Sequence, residues 1–160
     1  DAIIIASGTT VLAFARCIPP EAQLTVLTSA MNVAMALLNC QQVEVIQLGG
    51  IVRHTSSSVT GEYALRMLEN FSGTKLFLGV DGIDLKYGLT TTNFMEASVN
   101  RAMIDAAQKI IVLTDSSKFG RRGFGKICEL DAVDQIITDS GVSPKVVREL
   151  EELGIKVSIV

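Results

Sequence analysis

The residues with the clearest chemical potential form a short polar run near the start of the chain, Ser7-Gly8-Thr9-Thr10. Gly8 allows the backbone to approach an anion closely. The hydroxyl groups beside it, together with the free N–H groups at a helix start, can bind phosphate oxygens. A second interpretation is that Thr9 only caps the following helix. The run lacks the lysine of a Walker motif, and it is not a dinucleotide fingerprint.

Two carboxylates stand close together in the run Gly79-Val80-Asp81-Gly82-Ile83-Asp84. This run follows a predicted strand, so Asp81 and Asp84 could hydrogen-bond sugar hydroxyls or transfer protons. An ordinary Asp-Gly turn, in which the carboxylates hold backbone N–H groups, explains the same pattern. The residues alone leave both interpretations open.

Three further charged residues are candidates for the same site. Glu96 falls in the first turn of a predicted helix capped by Asn93, so it either faces a ligand or closes a capping box. Lys118 offers a point charge to a phosphate or carboxylate, unless it is a solvated surface lysine. Arg53 is the other cation that follows a predicted strand, whereas His54, the only histidine, has no obvious partner.

Alternating strand and helix patterns must position these side chains. Apolar, β-branched runs predict buried strands at residues 2–6, 24–27, 43–48, 75–80, 110–113, 135–138 and 157–160. Apolar residues at helical spacing predict helices at residues 9–18, 31–38, within 59–71, 94–107 and 144–153. This alternation predicts an α/β fold with three layers, in which helices cover both faces of a mostly parallel, Rossmann-like sheet.

Ligands of such sheets bind outside the carboxyl ends of the strands. The residues that follow the predicted strands are small or polar, and their loops should gather at one edge. We therefore predict one ligand site there, which comprises Ser7, Gly8, Thr9, Thr10, Thr28, Gly49, Gly50, Arg53, Asp81, Gly82, Asp84, Glu96 and Lys118.

Composition limits the classes of function. The length of 160 residues and the 48% share of hydrophobic residues predict one folded domain over residues 1–160. No apolar run approaches the roughly 18 residues of a membrane span. The net charge of −3 argues against DNA binding by this chain alone. The first residue is Asp1 rather than Met, which suggests a piece of a longer protein.

Cysteine and histidine usage points away from metal chemistry. The three cysteines are odd in number and widely spaced, and there is one histidine. They match neither a disulfide framework nor a zinc pattern. We therefore expect a cytoplasmic protein without a metal or a cofactor.

The motifs taken together resemble the C-terminal, effector-binding domain of the DeoR family of bacterial transcriptional repressors. The resemblance covers essentially the whole chain. Six runs carry it in order: Ser7-Gly8-Thr9-Thr10, Leu48-Gly49-Gly50-Ile51-Val52-Arg53, Val59-Thr60-Gly61, Gly79-Val80-Asp81-Gly82-Ile83-Asp84, Gly88-Leu89-Thr90 and Asp115-Ser116-Ser117-Lys118-Phe119-Gly120. The chain departs from the family pattern at Ala6 and at Thr28-Ser29-Ala30, both beside the predicted site.

The resemblance implies a fold related to ribose-5-phosphate isomerase, glucosamine-6-phosphate deaminase and the CoA transferases. It implies a sensor, not an enzyme, whose first loop holds the phosphate of a sugar-phosphate effector and whose Asp81, Asp84, Glu96 and Lys118 bind the remainder. It further implies an upstream helix-turn-helix domain that binds operator DNA, and a symmetric homo-oligomer.

Two other functions fit the same residues. An aldose–ketose isomerase of sugar phosphates would use Asp81, Asp84 or Glu96 as its proton-transfer base and Lys118 as the electrostatic partner. A pure oligomerisation domain with a vestigial pocket is the third possibility.

Overall fold

The computed structural model describes residues 1–160, in which strands and helices alternate. The strands are β1 (Ala2–Ile5), β2 (Leu24–Thr28), β3 (Val43–Gln47), β4 (Ile51–Arg53), β5 (Ser58–Thr60), β6 (Gly73–Leu78), β7 (Gly82–Asp84), β8 (Gly88–Thr91), β9 (Ala107–Leu113), β10 (Gly125–Cys128), β11 (Gln135–Thr138) and β12 (Lys156–Ile159). The helices are α1 (Thr9–Arg16), α2 (Met31–Ala36), α3 (Glu62–Leu68), α4 (Phe94–Asp105) and α5 (Pro144–Glu152). No helix is both long enough and apolar enough to cross a membrane.

Seven strands form one sheet in the order β12-β11-β9-β6-β1-β2-β3, and every neighbouring pair is parallel. Each of the seven predicted buried strands is one of these. Two small antiparallel sheets, β10-β8-β7 and the hairpin β4-β5, complete the structure. The predicted α/β fold with a mostly parallel sheet is therefore confirmed.

The sheet is buried on both faces because successive residues of a strand point to opposite sides. In β1, Ile4 packs with buried residues of α3, α4 and α5, whereas Ile3 and Ile5 pack with those of α1 and α2. The small sheet β10-β8-β7 contributes Ile83 to the first of these cores. The continuous apolar run of β1 is explained by these two cores, one on each face of the sheet. Helices, sheet and helices are thus the three predicted layers.

The helix ends agree with the capping residues in the sequence. Ser143 Oγ accepts a hydrogen bond of 3.2 Å from Val146 N at the start of α5, and Pro144 is its first residue. Gly154 lies just beyond α5 with a φ of 85°, a conformation that favours glycine. These contacts confirm the predicted start and end of the last helix.

The strands of the two small antiparallel sheets are the elements that the sequence patterns do not predict. They contain three or four residues each, too few to display an alternation of apolar and polar side chains. One pairing also depends on a distant partner: β8 pairs with its chain neighbour β7 on one side and with β10, which follows α4 and β9, on the other. Residues 119–124 then cross this sheet, where Gly120 N donates to Ile83 O at 2.8 Å.

One buried position of the small sheet, Gly82 in β7, requires glycine. A Cβ at Gly82 would lie 2.6 Å from Thr90 Oγ1 and would also overlap the Arg121 carbonyl. The Thr90 hydroxyl is held in place because it accepts a hydrogen bond of 2.7 Å from Gly123 N. Gly82 therefore provides the space in which residues 119–124 cross the sheet.

Carboxylates anchor the loop that follows β9. Asp139 Oδ2 accepts from Ser116 N at 2.9 Å and its Oδ1 accepts from Gly141 N at 2.8 Å. Asp115 accepts hydrogen bonds from the hydroxyl and the N–H of Ser117. These donors hold the pKa of each carboxyl below its ordinary value. The two aspartates thereby position the 3-10 turn Ser116–Lys118.

We expect Gly82→Ala to lower the free energy of unfolding by about 1–3 kcal/mol, because the added methyl group overlaps fixed atoms. Gly49→Ala is the matched control, since a Cβ there meets nothing within 4 Å. It should change stability by less than about 1 kcal/mol, in the stabilising direction. Urea unfolding followed by circular dichroism measures both. Equal effects of the two substitutions would contradict the packing described here.

We expect Asp139→Asn to reduce the loss of stability in acid. The folded-state pKa of Asp139 lies below its ordinary value of 3.8. Its ionised form therefore stabilises the fold above that pH, and this contribution disappears as the pH falls through the folded-state pKa. The difference in urea midpoint between the native chain and the variant should be constant near neutrality and should shrink below about pH 4.

Asp105→Asn is the control for this titration, because Asp105 is exposed and its side chain makes no hydrogen bond. This variant removes no contact that anchors a loop, so its urea midpoint near neutral pH should equal that of the native chain. If the Asp139→Asn difference stays constant from neutral to acid pH, the carboxylate does not anchor the loop.

Candidate functional site

A polar cavity of about 370 Å³ opens at the carboxyl edge of the seven-stranded sheet. The chain runs from β1 to β2 and β3 on one side, whereas β6 lies on the other side of β1. The strand order therefore reverses between β1 and β6, and ligands of parallel sheets bind at such reversals. The loops after these two strands, residues 7–10 and 79–81, both line the cavity. The predicted gathering of loops at this edge is found for these two and for the loop after β9, which contributes Lys118.

The loop after β1 ends in an uncapped helix start. Gly8 is the N-cap of α1, with a φ of 135°, and no side chain caps the helix. Thr9 is the first helical residue, so it does not make the capping contact that was the alternative interpretation. The first turn contains no acidic residue. The free N–H groups of this first turn therefore face the cavity with partial positive charge. The hydroxyl groups of Ser7, Thr9 and Thr10 lie beside them.

The loop after β6 packs against the loop after β1. A Cβ at Gly79 would lie 3.2 Å from Ser7 O, which brings the two backbones into near contact. Asp81 follows, and its Oδ2 accepts from Thr91 Oγ1 at 2.7 Å and from Thr92 N at 3.0 Å. These bonds orient the carboxylate at the end of β8 and leave Oδ1 without a protein partner.

Helix α4 forms another wall, to which Glu96 and Asn100 contribute. Asn93 caps the helix, because its Oδ1 accepts from Met95 N and Glu96 N. Glu96 does not close the predicted capping box. Its Oε2 instead accepts from Arg53 Nε at 3.1 Å, in an ion pair whose carboxylate side chain is only 14% exposed.

The hairpin β4-β5 covers the cavity with its turn, where Thr55 and Ser56 join the lining. Met31 N donates to Ser57 O at 2.7 Å and Val59 N donates to Ser29 O at 3.0 Å, so the hairpin is tied to the start of α2. Ser57 has a φ of 52°, a left-handed turn conformation. The ion pair of Arg53 with Glu96 ties the same hairpin to α4.

Lys118 is the only cation in the lining. It ends the 3-10 turn Ser116–Lys118, makes no ion pair and is partly exposed. Its ammonium group is therefore free to meet an anion in the cavity.

The structure brings seven of the predicted residues into the lining: Ser7, Gly8, Thr9, Thr10, Asp81, Glu96 and Lys118. Six others do not line it: Thr28, Gly49, Gly50, Arg53, Gly82 and Asp84. Arg53 lies one contact away, through its pair with Glu96. Ala6, one of the departures from the family pattern, is fully buried in the core and also outside the lining.

The residues outside the lining are occupied by local structure. The buried Thr28 hydroxyl accepts from Ala30 N at 3.0 Å. Gly49 is exposed, and Gly50 lies so close to Thr60 that a Cβ would be 2.6 Å from its carbonyl oxygen. Gly82 lies under the crossing segment 119–124. Position after a strand is thus insufficient to predict which residues reach the cavity.

Asp84 follows the turn interpretation rather than the ligand interpretation. Its Oδ1 accepts from Tyr87 N at 2.7 Å and from Lys86 N at 2.9 Å. These backbone donors, followed by the side chain of Arg122 at 3.2 Å, hold the pKa of Asp84 below its ordinary range. The Arg122 guanidinium also lies 4.3 Å from the centre of the Tyr87 ring. This cluster stands apart from the cavity.

Eight lining residues escape the sequence prediction: Thr55, Ser56, Gly79, Val80, Thr91, Thr92, Asn100 and Leu113. One of them, Asn100, carried a usable signal in the sequence. Asn100 stands four residues after Glu96, on the same face of the helix. No signal in the sequence pointed to Thr55 and Ser56 in the hairpin turn, because the strands on either side are too short to recognise.

The arrangement suits an anion that also carries hydroxyl groups. At the start of α1, the cavity offers backbone N–H groups and the hydroxyl groups of residues 7–10. Elsewhere its lining offers the carboxylates of Asp81 and Glu96 and the amide of Asn100. Both lining carboxylates accept hydrogen bonds through one oxygen and keep the other free. No group of three His, Cys, Asp or Glu side chains is placed to hold a metal ion.

Comparison with known proteins supports the same description. The family model described as "DeoR C terminal sensor domain" matches residues 1–140. A protein of Escherichia coli O157:H7, named as a transcriptional repressor of the aga operon, is 41% identical over 158 residues, which are 99% of this chain and 59% of that protein. The uncharacterized HTH-type transcriptional regulator YulB of Bacillus subtilis is 38% identical over 160 residues, 100% of this chain and 62% of that protein.

A solved structure supports the fold. Ribose 5-phosphate isomerase A from Neisseria gonorrhoeae aligns with a TM-score of 0.53 and 14% identity, covering 76% of this chain and 46% of that chain. The predicted relation to the fold of ribose-5-phosphate isomerase is confirmed, although identity this low carries no information on activity.

The family decides between the functions that the sequence left open. The matched model describes a sensor domain and the similar proteins are named as regulators, which confirms a sensor rather than an isomerase. The chain spans 59% of the length of the Escherichia coli relative and 62% of the length of the Bacillus subtilis relative. With a match over residues 1–140 of 160, the chain belongs to the family of DeoR C-terminal sensor domains.

Proposed function

We propose that residues 1–160 form one effector-binding domain that senses a phosphorylated sugar in the cavity at the carboxyl edge of the sheet. The observation that carries this proposal is the uncapped start of α1, which opens into a cavity lined mostly by polar groups. A helix start without a capping side chain has backbone donors that need an acceptor. A ligand phosphate supplies that acceptor.

The phosphate lies against residues 7–10 in this proposal. The N–H groups of the first turn of α1 carry a partial positive charge, and Ser7, Thr9 and Thr10 add hydroxyl donors. Gly8 has a φ of 135°, which allows the backbone to curve around a phosphate. Lys118 contributes a full positive charge from the loop after β9.

The hydroxyl groups of the sugar meet the carboxylates. Asp81 Oδ1 and Glu96 Oε1 have no protein donor, so each can accept a hydrogen bond from a ligand hydroxyl. Both carboxylates are oriented by bonds to their other oxygen. Their geometry is therefore set before the ligand arrives, which reduces the entropy lost on binding.

The whole protein, in this proposal, is a cytoplasmic transcriptional repressor. The similar proteins are named as repressors or HTH-type regulators, and this chain accounts for about 60% of their length, 59% and 62%. The net charge of −3 is consistent with DNA contacts made by a helix-turn-helix domain outside residues 1–160. A homo-oligomer would match repeated half-sites in an operator. The ligand controls repression only if it binds one conformation more tightly than another.

We expect the double substitution Thr9→Ala, Thr10→Ala to weaken binding of sugar phosphates by about tenfold or more, because two hydroxyl donors to the phosphate are lost. Thermal unfolding with a panel of phosphorylated sugars identifies a ligand first. A ligand at about 100 times its Kd should stabilise the native chain by about 2.7 kcal/mol. Calorimetric titration of the native chain and the variant then measures the change in affinity.

Ser72→Ala is the control, because Ser72 is exposed and precedes β6 at the opposite edge of the sheet. It should bind the ligand as the native chain does. If no phosphorylated sugar stabilises the native chain at millimolar concentration, the proposed function is wrong. If a sugar phosphate binds but the double variant retains full affinity, the phosphate lies elsewhere in the protein.

A further inference from the structure

Asn100 is a buried polar residue whose side chain has no partner in the protein. It is only 6% exposed, and its amide makes no hydrogen bond with another residue. Asn70 and Asn93, by contrast, use their side chains to bind backbone groups at helix ends. Its polar atoms keep contact with solvent, unlike Asn32 Oδ1 and the Thr138 hydroxyl, which are buried without a partner. Because Asn100 lines the cavity, water or a ligand there can hydrogen-bond its amide.

The position of Asn100 in α4 makes the missing partner more informative. Ala97, Asn100 and Met103 recur at helical spacing and are all buried, so Asn100 occupies the stripe that packs on the core. An apolar side chain would be buried there without losing hydrogen bonds to water. The amide is nevertheless part of the cavity lining. A polar group held at such a place is available to a ligand.

Asn100 belongs to the deep end of the cavity. Four lining residues are buried, namely Val80, Thr91, Asn100 and Leu113. The residues at the phosphate end, Gly8 and Thr9, are exposed instead. In the proposal, a ligand with its phosphate at α1 extends from these exposed residues toward α4, which carries Asn100. Val80 and Leu113 are apolar, and the Thr91 hydroxyl already donates to Asp81. Asn100 is thus the one uncommitted polar side chain among these four.

The charge of the lining limits what that end of the ligand can be. Asp81 and Glu96 are acidic and Lys118 is basic, so the lining carries a formal charge of −1 from these three groups. A phosphate at α1 adds more negative charge. A second anionic group at the inner end would meet two carboxylates in a partly desolvated space and is disfavoured. An amide instead pairs with a neutral group that donates or accepts a hydrogen bond.

We infer that Asn100 determines ligand specificity by hydrogen-bonding a neutral hydroxyl or carbonyl group at the end of the ligand remote from its phosphate. The inference rests on the proposed function, since it requires a phosphorylated ligand bound at α1. It adds a selection rule: the cavity accepts monophosphates with a neutral far end and rejects those with a second anion there.

Matched pairs of sugar phosphates test this rule. Each pair is an aldose phosphate and its aldonic acid. At C1 the aldose carries a neutral carbonyl or, in its ring form, a hemiacetal hydroxyl, whereas the acid carries a carboxylate. In the erythrose pair the aldose cannot close a furanose ring through its phosphorylated O4, so this pair separates the effect of charge from that of the ring. The probes are erythrose 4-phosphate with 4-phosphoerythronate, ribose 5-phosphate with 5-phosphoribonate, and glucose 6-phosphate with 6-phosphogluconate. Calorimetric titration of the native chain should give an affinity for the best aldose phosphate about tenfold or more above that for its acid.

Two variants then locate the source of the preference. Asn100→Leu, which has a similar volume, should weaken binding of the aldose phosphate by about tenfold and leave binding of inorganic phosphate unchanged. The Tm of its ligand-free form should stay close to that of the native chain, because the substitution removes no hydrogen bond within the protein. Asn100→Ala should show the same loss of affinity. Asn70→Ala, outside the cavity, is the control and should bind as the native chain does.

The outcomes separate the two claims. If the native chain binds none of the sugar phosphates, the proposed function fails, and the role of Asn100 fails with it. If an aldose phosphate binds but the native chain shows no preference over its acid, or Asn100→Leu binds it with full affinity, only the role of Asn100 is overturned. A fall in the ligand-free Tm of both variants by more than about 5 °C would show that the amide is structural and would also overturn it.

Discussion

The common direction of the seven strands is the constraint on which the rest of the structure depends. Since every neighbouring pair is parallel, all seven carboxyl ends lie at one edge, and each following loop begins there. The strand order reverses beside β1, and the cavity forms where the loops after β1 and β6 flank that reversal. The start of α1 is delivered to this point by the sheet. Its unpaired N–H groups are thus a consequence of topology rather than of the loop alone.

The second feature of the site is that both of its carboxylates are oriented by protein contacts before a ligand binds. Glu96 is paired with Arg53, and Asp81 is bonded to Thr91 and Thr92. The pair with Arg53 also joins the hairpin β4-β5 to α4, so that the wall, the cover and the carboxylate form one connected structure. A ligand that hydrogen-bonds the free oxygen of Glu96 would act on this junction. The hairpin also carries the exposed apolar residues Ile51 and Val52.

Much of the fold could be predicted from the sequence, because buried parallel strands are continuous apolar runs and helices show a clear spacing. The seven sheet strands and the capped helix α5 belong to this class. The small antiparallel sheets could not be predicted, since strands of three or four residues have no readable period. The site residues also divide into those predictable from local sequence and those placed by long-range contacts. Residues 7–10 were predictable from local chemistry, whereas Thr55 reaches the cavity only because distant backbone bonds hold the hairpin there. Asp84 was misplaced because a turn and a ligand site share one sequence pattern.

The most direct test of the account is a titration of the isotope-labelled chain with inorganic phosphate and then with a sugar phosphate that binds, followed by amide chemical shifts in NMR spectra. If the phosphate binds at the start of α1, both ligands should shift the amides of Gly8, Thr9 and Thr10 most strongly, because these N–H groups then donate to its oxygens. The sugar phosphate alone should also shift residues of α4. Largest shifts in residues 116–124, with none at the start of α1, would contradict the central claim.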